Sequence, residues 1–222
     1  MLRTALGSPR LATYFTCHSR AASTIRVAPP SGDRHLALPL AFLSLASPEK
    51  PDNPWDAWTS QAATRGYSSL VIQLDPTDLA SKAEGSDSLL AGLEIELVRL
   101  LQDPAHSSPF PPLLFAHSSA SLLAETYVSS NPLSGLCLVS PLSALQAHAK
   151  LPKLFKSPLA EFNYEPGFPI AVVQREGVSD QHRLLQDFAE EDDEDALAKR
   201  IAAERDVAGW DKVQEWMDEN GL

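Results

Sequence analysis

Short apolar runs alternate with segments of helical period along most of the chain. Residues 38–45 (LPLAFLSL) form a continuous apolar run, the pattern of a strand covered on both faces. Trp55, Trp58 and Ala62 then recur at helical spacing and stop near Gly66, which predicts a helix ending there. Residues 69–74 (SLVIQL) read as a second buried strand. A loop leads to Ser86 and Asp87, which can cap a helix with an apolar face of Leu89, Leu93, Leu97, Leu100 and Leu101. Prolines between 104 and 112 break it, and residues 113–116 predict a third strand. The following helix, about 119–130, places Ala120, Leu123, Ala124 and Tyr127 on one side. Residues 135–139 (GLCLV) and 169–174 (PIAVVQ) supply a fourth and a fifth strand. Beyond Gln174 no strand pattern stands out. Residues 181–205 read as helical with an acidic interruption, and a last helix over 208–220 carries Trp210, Val213 and Met217, with Gly221 as its stop.

Strands separated by helices imply βαβ units with right-handed crossovers. The expected fold is α/β: a mostly parallel sheet of about five or six strands with helices on both faces. Phe42, Leu43, Val71, Leu114, Leu123, Leu138 and Val172 should lie in its core. Residues 142–168 form a longer insertion interrupted by prolines.

Composition narrows the function more than the fold. The 222 residues carry 18 Lys and Arg against 29 Asp and Glu, a formal charge of −11. So acidic a chain is a poor ligand for nucleic-acid phosphates or an anionic membrane surface. No run of eighteen apolar residues occurs, so no segment reads as a transmembrane helix. Two cysteines, Cys17 and Cys137, exclude a disulfide framework or a thiolate metal site. Residues 187–195 hold seven carboxylates in nine positions but lack the Gly and spaced Asp or Asn of a calcium loop, and read as a solvated segment. There is no glycine-rich phosphate loop and no dinucleotide fingerprint, so neither cofactor nor metal is expected.

The N-terminus departs from the acidic balance. Arg3, Arg10, Arg20 and Arg26 precede the first acid, Asp33, in a stretch rich in Ser, Thr and Ala. That is the composition of a mitochondrial transit peptide, here residues 1–26 with cleavage near 19–23, leaving 27–222 as the mature domain in the matrix. The simpler alternative is a basic tail. Cys17 would leave with the presequence, and Cys137, in an apolar strand, would be a buried, inert thiol.

Candidate chemistry lies at the carboxyl ends of the strands. After the third strand the chain reads Phe115-Ala116-His117-Ser118-Ser119-Ala120. A serine in a sharp strand-to-helix turn requires small neighbours two positions away on each side, and Ala116 and Ala120 provide them; the helix behind would aim N–H groups at an oxyanion. Ser118 or Ser119 could equally be a plain helix cap. Ala-His-Ser-Ser-Ala resembles the Gly-x-Ser-x-Gly nucleophile elbow of the α/β-hydrolase family, and segments 38–45, 66–75, 112–130, 135–141 and 169–180 resemble successive pieces of that fold in order. The resemblance implies a serine hydrolase of ester, thioester or amide bonds, with Ser118 as nucleophile. Its acid would follow the fifth strand, where Glu176 and Asp180 stand and Asp180 matches better. Its base would be His182, the last histidine of the chain.

The chain also departs from that pattern. Ser44-Leu45 stands where the family has His-Gly beside the oxyanion site, and no histidine follows a further strand near the C-terminus. His182 could be simply an exposed residue at a helix start. His117 is assigned to packing or mouth-lining, and His148 is a less suitable base. Two readings follow: a weak or inactive hydrolase of a small ester-like substrate, or a non-catalytic scaffold that binds a protein or small ligand. Residues 1–26 fused to a fluorescent reporter are expected to carry it into mitochondria; a cytosolic reporter would contradict the targeting assignment.

Overall fold

The computed structural model describes residues 16–18, 23–46, 54–165, 167–178, 182–188 and 198–222. Among these residues eight strands form one sheet: β1 (Thr16–His18), β2 (Thr24–Ala28), β3 (Leu40–Leu45), β4 (Ser69–Leu74), β5 (Leu113–His117), β6 (Gly135–Val139), β7 (Ile170–Gln174) and β8 (Ala198–Ala202). Their order is β1-β2-β4-β3-β5-β6-β7-β8. The six strands from β4 to β8 pair in parallel, and β1 and β2 add an antiparallel edge. The helices are α1 (Asp56–Arg65), α2 (Thr77–Lys82), α3 (Ser86–Leu101), α4 (Ala120–Val128), α5 (Ala144–Lys150), α6 (Arg183–Phe188) and α7 (Val207–Glu219).

The central strands lie between two apolar layers, and their residues alternate between them. On one side Ala41, Leu43, Leu114, Ala116, Leu136, Leu138, Ile170 and Val172 meet the leucines of α3 and α4. On the other, Leu40, Phe42, Leu113, Phe115, Cys137, Val139, Ala171 and Val173 meet α1 and α7. This two-sided burial is why the strands read as unbroken apolar runs. The second layer is aromatic: Trp55, Trp58, Phe42, Phe115 and Trp210 are all fully buried, with ring centroids 4.6 to 6.5 Å apart. All seven core residues expected from the sequence are buried, as is Cys137, whose thiol pKa burial pushes upward.

Three segments differ from the sequence reading. β2 lies within the basic N-terminal region, and its whole length pairs with β4, with Ile25 buried. A boundary after residue 26 would therefore remove three of its five residues, whereas cleavage at or before Ser23 would leave the strand whole. Helix α2 occupies the stretch read as loop before Ser86. The largest correction is β8, in a region expected to be helical. It is an edge strand in which only Ala198 and Ile201 are buried, while Lys199 and Arg200 face solvent. Charged residues of this kind protect sheet edges and erase the apolar signature of a strand.

The return from β8 into α7 is tight. Asp206 caps α7 by accepting from the Gly209 N–H at 2.8 Å, and Trp58 Nε1 donates to the Asp206 carbonyl at 2.9 Å. A Cβ on Gly209 would run into the Glu204 carbonyl oxygen. Gly209→Ala should therefore cost about 1–3 kcal/mol through overpacking, measured by urea unfolding; unchanged stability would contradict this packing.

Candidate active site

Ser118 stands between β5 and α4, at the carboxyl end of a strand buried on both faces. Its φ is 55°, in the left-handed region that L side chains avoid. Such a conformation costs on the order of 1–3 kcal/mol and persists only where its surroundings enforce it. Here the Ser118 N–H donates to the Val139 carbonyl at 3.0 Å. Its own carbonyl accepts from the Ser121 N–H at 3.1 Å, the Ser121 hydroxyl at 2.7 Å and the Leu142 N–H at 3.3 Å. Ala116 and Ala120, two positions to either side, are fully buried. The half-buried Ser118 hydroxyl makes no hydrogen bond among the described residues, and neither does the Ser119 N–H at the start of α4. The sequence expectation of a strand, a sharp turn at serine and a helix is met in its geometry.

The surroundings differ from those of a triad. His182 is buried at 6% exposure, and its Nε2 lies 2.8 Å from Oε1 of Glu125, itself buried in α4. Among the described residues no hydrogen bond joins His182 to Ser118, and none reaches His182 Nδ1. Burial raises the Glu125 carboxyl above its ordinary value, and His182 acts in the opposite direction. Asp180 lies outside the described residues. Glu176, the other candidate acid, is exposed.

The remaining candidate bases are engaged elsewhere. His117 packs edge-on against Trp55, centroids 6.0 Å apart, on the aromatic side of the sheet. A His148 ring nitrogen lies 2.7 Å from the Phe155 carbonyl. The loop after β8 supplies Glu204, Arg205 and Asp206 rather than a histidine. Arg205 lies over the Trp55 ring at 5.9 Å, and Glu204 pairs with Arg175 at 3.3 Å. Where the resemblance expects His-Gly, the buried Ser44 hydroxyl has no hydrogen-bond partner among the described residues. Glu125 escaped the sequence analysis, although a lone acid amid the apolar residues of α4 (ASLLAETYV) could have marked it.

Solved structures share this architecture across nearly their whole length. Est1E from Butyrivibrio proteoclasticus aligns over 95% of this chain and 100% of its own, with TM-score 0.59 and 9% identity. Thermogutta terrifontis esterase 2, phosphoramylated by tabun, aligns over 96% and 97%, with TM-score 0.59 and 11% identity. An α/β serine hydrolase homologue from Coxiella burnetii covers 98% and 99%, with TM-score 0.52 and 9% identity. This is the α/β-hydrolase fold. No family model matches the sequence, and no curated protein does. Identity this low carries the backbone of the α/β-hydrolase fold and leaves the chemistry to be argued from this chain's own side chains.

The buried pair yields a pH prediction. With its folded pKa raised, Glu125 contributes stability that is complete below its ordinary value of 4.5 and is lost as pH rises through the elevated one. Glu125→Gln can still hydrogen-bond His182 but cannot ionise. The stability of the unsubstituted protein relative to this variant, from urea unfolding across a pH series, should fall as pH increases above 4.5; a difference independent of pH would contradict the assignment.

Proposed function

We propose that this is a mitochondrial α/β-hydrolase-fold protein in which serine hydrolysis of ester-like substrates is weak or lost. The observation that carries this reading is the engagement of His182: its Nε2 faces Glu125, not the Ser118 hydroxyl. An elbow serine without a base is a poor nucleophile near neutral pH. General-base assistance typically contributes about 10²–10⁴-fold. Ser44 at the second oxyanion position weakens the same transition state, and loss of one such donor typically costs about 10²–10³-fold. Because both deficits oppose acyl transfer, residual turnover would be slow even with Ser118 correctly presented.

A second reading, non-catalytic binding of a small ligand or a protein, is favoured by the loop after β8. There Arg205 packs on Trp55, and no histidine is offered toward the elbow. Import into the matrix belongs to the same proposal and rests on the acid-free, arginine-bearing residues 1–26.

A fluorophosphonate probe tests the hydrolase question, with the purified protein compared with Ser118→Ala and His182→Ala. Labelling should not exceed that of Ser118→Ala. Strong labelling abolished by either substitution would establish a working triad and overturn the proposal.

A further inference from the structure

At the end of the sheet opposite Ser118, beside the amino ends of β3 and β4, lies a cavity of about 200 Å³. Among the described residues it is lined by Arg34, Leu36, Arg65, Tyr67, Gln214 and Asp218. One wall is basic. The loop before β3 is tied to the end of α1, with the Ser31 N–H donating to the Ala63 carbonyl and the Leu36 N–H to the Gly66 carbonyl, both at 2.9 Å. Gly66 turns the chain there with φ 100°, and a Cβ in its place would come within 2.8 Å of the Arg34 carbonyl oxygen and 3.3 Å of Arg34 Cγ. The Arg34 stem is thus seated on a glycine, near Arg65 in the last turn of α1. Arg65 also meets Asp211 at 3.6 Å, a loose pair exposed on both sides and of small worth.

The opposite wall, from α7, is acidic and fixed from within. The buried Gln214 amide donates from Nε2 to the Asp218 carboxylate at 2.9 Å and to the Tyr67 hydroxyl at 3.3 Å. That hydroxyl in turn donates to the Leu222 carbonyl at 3.4 Å. Arg34, Arg65 and Asp218 are all exposed, so a solute can reach them. Opposite charges on two walls of one small cavity restrict its occupant. A simple anion would meet Asp218 and a simple cation the two guanidiniums, whereas a zwitterion complements both walls. A cavity of roughly 150 Å³ accommodates benzene, so this one takes on the order of six to eight heavy atoms. We propose that it binds a free α-amino acid of small side chain, with the carboxylate toward Arg34 and Arg65 and the ammonium toward Asp218. Leu36 supplies apolar lining for the side chain. The site lies away from the elbow and stands whether or not the protein hydrolyses esters.

Isothermal titration of the full chain with L-alanine, propionate and ethylammonium provides the test, because propionate lacks only the ammonium group and ethylammonium only the carboxylate. L-Alanine should bind saturably at one site, and each of the other two at least about tenfold more weakly. Arg34→Met, and Asp218→Asn, which keeps an acceptor for Gln214, should each weaken L-alanine binding by about tenfold or more. Both positions are exposed, so thermal stability should stay within the usual range for surface changes. Absence of saturable L-alanine binding, equal affinity for the amino acid and either analogue, or unchanged affinity in either variant would overturn the proposal.

Discussion

A left-handed serine can persist in a strand-to-helix turn only where everything around it is small, buried and hydrogen-bonded. Ser118 meets these conditions because β5 sits at the middle of the parallel sheet with β3 and β6 beside it. Its N–H and carbonyl are held by Val139, Ser121 and Leu142. Ala116 and Ala120 allow strand and helix to close on the turn. The leucine layer below α4 and the aromatic layer below α1 and α7 fix the strand from both faces. The elbow is thus a consequence of the whole core and would persist in the absence of chemistry.

Catalysis makes a separate demand, a base within hydrogen-bond reach of the serine hydroxyl. In this chain the imidazole nearest to that role by sequence is drawn into the protein by Glu125. Burying either partner alone would carry a substantial desolvation penalty, and the two offset each other only while paired. Releasing His182 toward Ser118 would strand Glu125 inside α4, so the pairing opposes recruitment of this histidine as a base.

The sequence was most informative where burial on both sides of the sheet left only apolar residues. The segments that became β3 to β7, and the helices α1, α3, α4 and α7, carry that signal directly. It failed at the two margins. In β8, Lys199 and Arg200 protect an exposed edge and mask the strand; in β2, Arg26 belongs to a stretch whose composition reads as targeting. At the site, Ser118 was legible from its small neighbours. The His182–Glu125 pair was not, because it joins residues 57 positions apart, and no local pattern encodes such a contact.

The account turns on which group holds the His182 imidazole, and ring-nitrogen NMR reads this directly. In two-bond ¹H–¹⁵N spectra of the imidazoles, with His182 assigned by its loss in His182→Gln, the account predicts that Glu125→Gln shifts the His182 ring nitrogens and Ser118→Ala leaves them in place. A His182 signal that moves with Ser118→Ala and ignores Glu125→Gln would contradict it.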